Sequence, residues 1–123
     1  MTGKAVHFEI PIDDADRGVE FYRRSFGWDL ARWGPLEYWT TSGGDGEGIG
    51  GALSMRSAAD EGPIFYIEVD DIDVALASIE AAGGHRLTER MPIPMVGYSA
   101  VFQDTEGNRL GLFQTDPSAP LPG

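Results

Sequence analysis

The sequence predicts an α+β fold made of two tandem βαβββ modules, and three observations lead to this prediction. The chain resembles itself at an offset of 57 residues, which places HFEIPIDDAD at 7–16 on IFYIEVDDID at 64–73. Each copy begins with the apolar alternation of a strand and continues with the apolar periodicity of a helix. Three short strand-like stretches follow each helix. The second module is therefore expected to repeat the architecture of the first.

Identical or similar residues recur at this offset. The matched pairs are Phe8 and Phe65, Ile10 and Ile67, Ile12 and Val69, Asp13 and Asp70, Asp14 and Asp71, Asp16 and Asp73, and Gly27 and Gly84. Farther along, an offset of 60 places Tyr38 on Tyr98 and Gly51 on Gly111. We therefore expect about three extra residues in the second copy, in the proline-containing loop RMPIPMVG at 90–97.

Each module opens with a strand and a capped helix. In the first strand, Val6, Phe8 and Ile10 share one face, and His7, Glu9 and Pro11 share the other. Asp13 or Asp14 can cap the first helix, and Asp70 or Asp71 can cap the second. The apolar faces of the two helices are Ala15, Val19, Tyr22 and Phe26, ending at Gly27, and Ile72, Leu76 and Ile79, ending at Gly83 and Gly84. Such faces are typical of helices that pack on a sheet.

The remaining strands are short. They are predicted at 28–33, 36–42 and 49–55, and again at 85–90, 97–103 and 109–114. The glycine-rich stretch SGGDGEGIGG lacks the lysine of a phosphate-binding loop and is not followed by a helical pattern, so we interpret it as a hairpin loop. We expect a single domain over 1–123, with module one at about 4–55, a linker at 56–63, module two at about 64–114 and a frayed tail at 115–123.

Composition excludes several classes of function. The 123 residues, 41% of them hydrophobic, suffice for one domain with a core. A net charge of −11 argues against a nucleic-acid partner, which would require a basic patch. The chain has no cysteine, so thiolate chemistry and disulfides are excluded. The N-terminal stretch resembles neither a signal peptide nor a membrane span, and we expect a cytoplasmic protein without a membrane partner.

The chain also resembles a known family. The stretches VHFEIPIDD, EFYRRSFGW, VDDIDVALASIEAAGG and FQDTEGNRLGLFQ are similar to those of the vicinal oxygen chelate superfamily. That superfamily includes glyoxalase I, extradiol dioxygenases, methylmalonyl-CoA epimerase and the fosfomycin and bleomycin resistance proteins. The resemblance implies curled mixed sheets around a cleft with the helices outside, and a homodimer. It places His7 and Glu9 toward the cleft.

The resemblance also identifies where a metal would bind. Metal enzymes of this superfamily take ligands at positions that match His7, Gly51, Ile64 and Gly111. Only His7 carries a donor side chain, whereas a catalytic metal needs about three protein ligands. We therefore predict no metal and no cofactor. Besides a pair that contacts a ligand without chemistry, three alternatives remain open for His7 and Glu9. They are a displaced metal site that uses Glu9, metal-free acid–base chemistry by His7 with Glu9, and a purely structural hydrogen bond.

Strand parity suggests which residues contact a ligand. Tyr66 and Phe113 fall on the cleft side of their strands, so the candidate ligand-binding residues are His7, Glu9, Tyr66 and Phe113. The two glycines at the ligand positions are expected to leave room for a mostly apolar pocket. We predict that His7, Glu9 and Tyr66 share one cavity. Conversely, Phe8, Ile10 and Ile67 should lie against the helices.

These predictions lead to two functional hypotheses. The first is a glyoxalase- or bleomycin-resistance-like protein that binds a small, hydrophobic or planar molecule in a cleft, with a degenerate metal site. The second is a lyase, isomerase or dioxygenase that acts on a small oxygenated substrate through a displaced metal or through His7 and Glu9. Both hypotheses expect a small-molecule ligand and a homodimer.

Overall fold

The computed structural model of the protein describes residues 3–120. Within them the chain forms nine strands and two helices, which confirms the predicted α+β class. The elements of the first module are β1 (Ala5–Ile12), α1 (Ala15–Phe26), β2 (Ala31–Arg32), β3 (Tyr38–Thr41) and β4 (Gly50–Met55). Those of the second are β5 (Ile64–Glu68), α2 (Ile72–Ala81), β6 (His85–Arg86), β7 (Met91–Ile93), β8 (Gly97–Gln103) and β9 (Arg109–Thr115). Neither helix is long and apolar enough to cross a bilayer.

The chain divides into two compact units. Residues Val6–Phe65 form the N-terminal unit, and residues 66–120 form the C-terminal unit together with residues 3–5. Backbone hydrogen bonds explain why the chain start belongs to the second unit. The Glu68 N–H donates to the Lys4 carbonyl at 2.8 Å, and the Gly3 N–H donates to the Glu68 carbonyl at 2.8 Å.

The N-terminal unit is a four-stranded mixed sheet with α1 on one face. Its strand order is β2-β3-β4-β1, with β1 parallel to β4 and the other pairs antiparallel. Ile10 lies opposite Leu53, and both contribute to the apolar layer under α1. The buried members of this layer are Ile12, Val19, Leu30 and Leu53. The opposite face of the sheet carries His7 and Glu9 and is called the distal face of the unit.

The ends of α1 follow the sequence prediction. The Asp14 side chain accepts a hydrogen bond from the Arg17 N–H at 2.9 Å, so Asp14 is the N-cap. Gly27 ends the helix with φ of 69°, and its N–H donates to the Arg23 carbonyl. Glycine suits this left-handed conformation because it has no Cβ. A side-chain acceptor and a left-handed glycine thus fix both ends of α1.

The C-terminal unit repeats this topology. Its strand order is β5-β9-β8-β6, with β5 parallel to β9 and the other pairs antiparallel. The core under α2 comprises Ile72, Leu76, Ala100, Phe102 and Leu112, with Ile67 packed against it. Asp71 caps α2 by accepting from the Val74 N–H at 3.0 Å. The predicted βαβββ order is therefore found in the first unit, and in the second it is found with one added strand.

The second unit has one additional strand. The loop at 90–97, predicted to hold the extra residues, contains β7, which pairs with β8 antiparallel to it. Pro92 lies opposite Tyr98, and Ile93 lies opposite Gly97. The inserted segment is therefore part of the sheet. The glycine-rich stretch of the first unit, by contrast, is the predicted hairpin loop, since it joins the antiparallel strands β3 and β4.

The hydrogen-bond register corrects the offset of 60 in the later strands. Ile10 lies opposite Leu53 and its counterpart Ile67 lies opposite Leu112, so Leu53 matches Leu112. This is an offset of 59, and it separates Gly51 from Gly111. In β8, Ala100 lies opposite Leu112, as Trp39 lies opposite Leu53 in β3. The alignment of Gly51 with Gly111 was therefore wrong because core packing, not glycine identity, sets the register.

The same comparison corrects the alignment of the two tyrosines. Trp39 matches Ala100, an offset of 61, so Tyr38 matches Ser99 and not Tyr98. Tyr98 instead packs against the core under α2. The two tyrosines therefore point to different faces of their sheets.

The tail was predicted to be frayed from residue 115, but its first residues are ordered by contacts. Thr115 is the last residue of β9, and the Asp116 N–H donates to the Val96 carbonyl at 3.0 Å. Ala119 is 4% exposed, and its carbonyl accepts from the Met95 N–H. These contacts hold the segment to the C-terminal unit. The rest of the predicted tail, 121–123, lies outside the described residues.

Candidate functional site

Three polar side chains meet on the distal face of the N-terminal unit. His7 and Glu9 are two residues apart on β1, so the strand pleat directs both away from α1. Tyr38 of β3 lies opposite Ser54 of β4, and Ser54 lies opposite Pro11 of β1. Paired residues share a face, so Tyr38 projects to the same side as His7 and Glu9.

The central strand of this face carries only small side chains, and this allows the contact. Strand β4 separates β1 from β3, and its distal residues are Gly50, Ala52 and Ser54. Neighbouring strands lie about 4.8 Å apart, so a side chain from β3 must cross roughly twice that distance to reach β1. A tyrosine is long enough to do so over glycine and alanine. The small residues of β4 thus let Tyr38 reach the polar pair of β1.

The three groups form a hydrogen-bonded chain. The Tyr38 hydroxyl donates to Glu9 Oε2 at 2.7 Å, and His7 Nε2 lies 2.8 Å from the same hydroxyl oxygen. His7 Nε2 and Glu9 Oε2 are 3.8 Å apart, which is too far for a direct hydrogen bond. Tyr38 therefore bridges the histidine and the carboxylate. We call these three residues the His7–Tyr38–Glu9 cluster.

Burial shifts the proton affinity of the histidine. The His7 side chain is 31% exposed and that of Glu9 is 22% exposed. Burial lowers the pKa of His7 from its ordinary value of 6.5, and the negative charge of Glu9 offsets part of this effect by raising it. A neutral imidazole is therefore favoured at neutral pH. Neutral imidazole can accept a proton, which is the property that an acid–base role would require.

Tyr38 was missed as a site residue by sequence reasoning. The offset of 60 grouped it with Tyr98, and it was not among the candidate ligand-binding residues. A usable signal was present in the alternation of the stretch YWTT at 38–41. Trp39 packs on the layer under α1, so its neighbours Tyr38 and Thr40 must face the distal side.

The two candidates in the C-terminal unit also lie on the predicted face. Tyr66 lies opposite Gly111, and Phe113 lies opposite Glu68. The intervening residue Ile67 packs against the core under α2, so Tyr66 and Glu68, its neighbours on β5, lie on the side away from that helix. Both Tyr66 and Phe113 are half-buried. A cavity shared by Tyr66 with His7 and Glu9 stays a prediction.

Three apolar residues predicted to be buried against the helices lie on the helix side of their sheets, where each is half-buried. Ile10 packs with the layer under α1, and Ile67 packs with the core under α2. Phe8 lies on the α1 side, where its ring centroid is 5.3 Å from that of Trp28. The register of the first strand in each unit is therefore the one that sequence parity predicts.

The two glycines do not leave the room expected of them. Gly51 lies opposite Phe8 on the α1 side of the sheet, and a Cβ built on it would collide with the Phe8 ring and carbonyl oxygen. Gly111 does lie on the side of its sheet away from α2, which we call the distal face of the C-terminal unit. The Tyr66 ring, however, packs directly against it, where a Cβ would stand. The expectation of free space at both positions was wrong. Aromatic rings already fill that space.

The residues present do not fit the metal site that the resemblance implies. Of the matched positions, Gly51, Ile64 and Gly111 have no side-chain donor atoms, and Gly51 faces away from His7. Among residues 3–120, no three His, Asp or Glu side chains are grouped closely enough to hold a metal ion. His7 and Glu9 contribute two donors at most, and both already contact Tyr38. These residues therefore do not form the metal site of the family's enzymes.

Comparison with known proteins now identifies the family. The sequence model of the Glyoxalase/Bleomycin resistance protein/Dioxygenase superfamily matches residues 4–112. The chain belongs to this superfamily. The resemblance stated from the sequence motifs is therefore confirmed, and the match covers both units.

Two relatives are similar to this chain over most of its length. A glyoxylase-like domain-containing protein of Didymella fabae is 28% identical over 116 residues, which cover 88% of this chain and 91% of that protein. The protein CFP32 of Mycobacterium bovis is 29% identical over 123 residues, which cover 94% of this chain and 46% of that protein. The chain thus spans about half the length of the mycobacterial relative.

Solved structures show the same fold. A hypothetical protein of Bacillus halodurans C-125 has a TM-score of 0.70 at 15% identity, with 98% of this chain and 100% of that chain covered. A methylmalonyl-CoA epimerase in complex with methylmalonyl-CoA has a TM-score of 0.67 at 19% identity, with 98% and 100% covered. At these identities the likeness concerns the fold alone.

Proposed function

We propose that the protein binds a small, mostly hydrophobic or planar molecule, and that the metal site of the family is degenerate in it. The proposed ligand-binding residues are His7, Glu9, Tyr66 and Phe113. The observation that carries the proposal is the His7–Tyr38–Glu9 cluster, which places hydrogen-bonding groups beside the small residues of β4. Ligand sites typically combine a few such polar groups with apolar walls.

The C-terminal unit supports the apolar part of the proposal. Its distal face carries Tyr66 and Phe113, and Ser99 lies opposite Phe113. On the next strand Met91 lies opposite Ser99 and is 43% exposed. These residues present aromatic and thioether surface, and the carboxylate of Glu68 lies on the same face, opposite Phe113. Such a surface suits a flat or hydrophobic ligand better than a highly charged one.

A thermal-shift screen tests this proposal. We expect planar and apolar small molecules to raise the melting temperature in the presence of EDTA, because a ligand at a hundred times its Kd stabilises by about 2.7 kcal/mol. Phe113→Ala should weaken the binding of each hit. Val74→Ala is the matched control, since Val74 is 64% exposed on α2. Hits restricted to highly charged molecules, or equal affinity in Phe113→Ala, would refute the proposal.

A second candidate function is an isomerase or lyase that works by acid–base chemistry. The observation that favours it is the hydrogen-bonded contact of a histidine with low pKa to a tyrosine and a carboxylate. The test is proton exchange in deuterium oxide of any ligand found by the screen. An enzyme of this type should exchange an acidic C–H proton of its ligand, and His7→Gln should abolish the exchange. Absence of exchange in the wild type would leave only the binding function.

The proposal includes the expectation that the purified protein holds no tightly bound divalent metal. His7 and Glu9 offer two ligands, and a metal with most of its shell supplied by water should be lost on dialysis. Elemental analysis after dialysis without chelator checks this. Near-stoichiometric zinc, iron, manganese or nickel that disappears in His7→Ala would contradict it and favour the displaced-metal alternative, including a dioxygenase.

We further propose that the protein is a cytoplasmic homodimer. Both sheets have exposed edges of two or three residues, such as β2 and β7, and oligomers of identical chains are most often twofold dimers. Light scattering at micromolar concentration tests the assembly. A monomer mass under those conditions would remove the dimer from the proposal.

A further inference from the structure

A cavity of about 410 Å³ lies on the helix side of the N-terminal unit, between α1 and β3. Its lining residues are Ala15, Asp16, Val19, Glu20 and Arg23 of α1 and Trp39 of β3. Tyr38 precedes Trp39 on β3 and projects to the distal face. The cavity therefore lies on the opposite side of the sheet from the His7–Tyr38–Glu9 cluster and is separate from it.

The corresponding positions of the C-terminal unit are closed. Ala15 matches Ile72 at the offset of 57, and Trp39 matches Ala100 by the strand register. Ile72 and Ala100 are 0% exposed, whereas Ala15 and Trp39 are half-buried. The helix of the second unit thus packs tightly on its sheet at a place where the first unit leaves room. The cavity is a property of these residues and not of the shared backbone plan.

Two carboxylates lie at the cavity on successive turns of α1. Asp16 and Glu20 are four residues apart, so their side chains are neighbours on the helix surface and repel each other. Arg24 is 3.8 Å from Glu20, but both of these side chains are mostly exposed, so water weakens the pair. A positive charge between Asp16 and Glu20 would offset their repulsion.

Trp39 gives the cavity an aromatic wall. Its ring already contacts a cation, since Cζ of Arg32 lies 5.7 Å from the ring centroid. An indole is the aromatic side chain that attracts a cation most strongly. Beside the ring, buried Val19 adds apolar surface. The cavity therefore combines two carboxylates with an aromatic ring and an aliphatic side chain.

The positive lining residue lies at the other end of the cavity. Arg23 is seven residues after Asp16, which is about 10 Å along the helix axis. Its Nη2 donates a hydrogen bond to the Leu30 carbonyl at 2.6 Å. The guanidinium group is thus held toward the segment that follows α1. The end of the cavity at Asp16 is the negative one.

We propose that this cavity is a second binding site, which takes a small organic cation. A primary ammonium group would lie between Asp16 and Glu20, and its flat or short hydrocarbon part would pack on Val19 and Trp39. The net charge of −11 favours the approach of such a molecule. The site does not depend on the function proposed above, because it lies on the other face of the sheet.

An NMR titration of the full chain with phenethylammonium chloride tests the proposal. Sodium chloride keeps the ionic strength constant, so general attraction of cations to the acidic chain is not counted. We expect saturable shifts of the Trp39 indole N–H and the Val19 methyl groups, with a Kd of about a few millimolar. 2-Phenylethanol has a similar shape without the charge and should bind about threefold more weakly or worse.

Three results of this titration would overturn the proposal. They are equal binding of the ammonium and the alcohol, shifts that do not saturate, and shifts confined to residues of the distal face. The last result would move the ammonium to the site proposed above and leave the cavity without a ligand.

A charge-neutral variant tests the role of the two carboxylates. Asp16→Asn combined with Glu20→Gln keeps the shapes of both side chains, and we expect it to remove the preference for the ammonium over the alcohol. Asp73→Asn is the matched control, since Asp73 is the counterpart of Asp16 in the first turn of α2. It should keep the preference. A preference that survives in the double variant would refute the site.

A second variant tests the aromatic wall. Trp39→Leu removes the ring and should weaken the binding of both probes, the ammonium more than the alcohol. Equal binding of the ammonium in the folded variant would exclude the ring from the site and overturn the proposal. The double variant changes only exposed side chains, so it decides the question even if Trp39→Leu does not fold.

Discussion

The two units share their backbone plan but differ in the chemistry of their distal faces. In both units a parallel pair of strands lies next to an antiparallel hairpin, and an aspartate is the N-cap of the helix. The N-terminal distal face holds the His7–Tyr38–Glu9 cluster. The C-terminal distal face instead packs the Tyr66 ring on Gly111, beside Phe113.

This difference shows where the repeat is under physical constraint. The residues that match between the units are those beneath the helices, where Ile10 and Leu53 correspond to Ile67 and Leu112. A change of face for any of these would expose a core residue and bury a polar one. The distal faces carry no such requirement from α1 or α2. They can therefore differ, one holding the histidine-containing cluster and the other the two aromatic rings of Tyr66 and Phe113 with Glu68.

The largest expected effects come from placing a Cβ on the two strand glycines. In Gly51→Ala the new atom meets both the Phe8 ring and the Phe8 carbonyl oxygen, whereas in Gly111→Ala its three nearest neighbours are all atoms of the Tyr66 ring. Overpacking of this kind costs about 1–3 kcal/mol. We expect Gly51→Ala to be the more destabilising because a backbone oxygen cannot turn away. Urea unfolding measures both.

Removal of the aromatic ring sharpens the comparison. Tyr66→Ala should make Gly111→Ala nearly neutral in a double-mutant cycle, because it removes the clashing ring. Phe8→Ala should rescue Gly51→Ala only in part, since the Phe8 carbonyl remains. Equal rescue at both positions would contradict the different surroundings of the two glycines.

A smaller effect is expected at the helix caps, where the two units should behave alike. Asp14→Ala and Asp71→Ala each remove a side-chain acceptor for a backbone N–H. Each should lower the free energy of unfolding by about 1 kcal/mol. Asp14→Asn and Asp71→Asn retain an acceptor and should restore most of the loss. A large difference between the two helices would show that one cap is stabilised by something other than this bond.

The sequence predicted the parts of the fold that depend on local chemistry. An aspartate before an apolar helical stretch and a glycine after it identified α1, and the alternation around Phe8 and Ile10 gave the register of β1. Residues beyond these local patterns were harder to place. The glycines at 51 and 111 suggested a false equivalence, because glycine identity carries no information about which face a strand buries.

The site was only partly predictable for a related reason. His7 and Glu9 follow from the alternation of one strand, so their shared face could be read from the sequence. The contact with Tyr38 depends on β3 lying one strand away from β1 and on small residues in between. That requires the strand order and register of the whole unit. Strand β7 was missed because a segment with two prolines resembles a loop.

The smallest expected effect is a dependence of stability on pH that His7 introduces. Burial lowers the pKa of His7 in the folded protein below its ordinary value of 6.5, which is also the value expected in the unfolded chain. As the pH falls through 6.5, the unfolded chain takes up a proton at this position before the folded protein does. Stability is therefore lost progressively until the pH reaches the lower, folded pKa, and no further loss from His7 follows below it.

His7→Gln isolates this contribution to the pH dependence. The variant has no imidazole at this position, so it should not lose the stability that His7 costs the wild type below pH 6.5. As the pH falls, the unfolding free energy of the variant should therefore rise relative to that of the wild type. His85→Gln, a change at an exposed residue of β6, should retain the wild-type loss. Glu9→Gln should increase the loss, because the charge that raises the pKa of His7 is gone. Urea titrations at a series of pH values provide the measurement.

An unchanged pH dependence in His7→Gln would mean that the imidazole is as easily protonated in the folded protein as in the unfolded chain. The distal face of the N-terminal unit would then be hydrated enough to solvate a charge on His7.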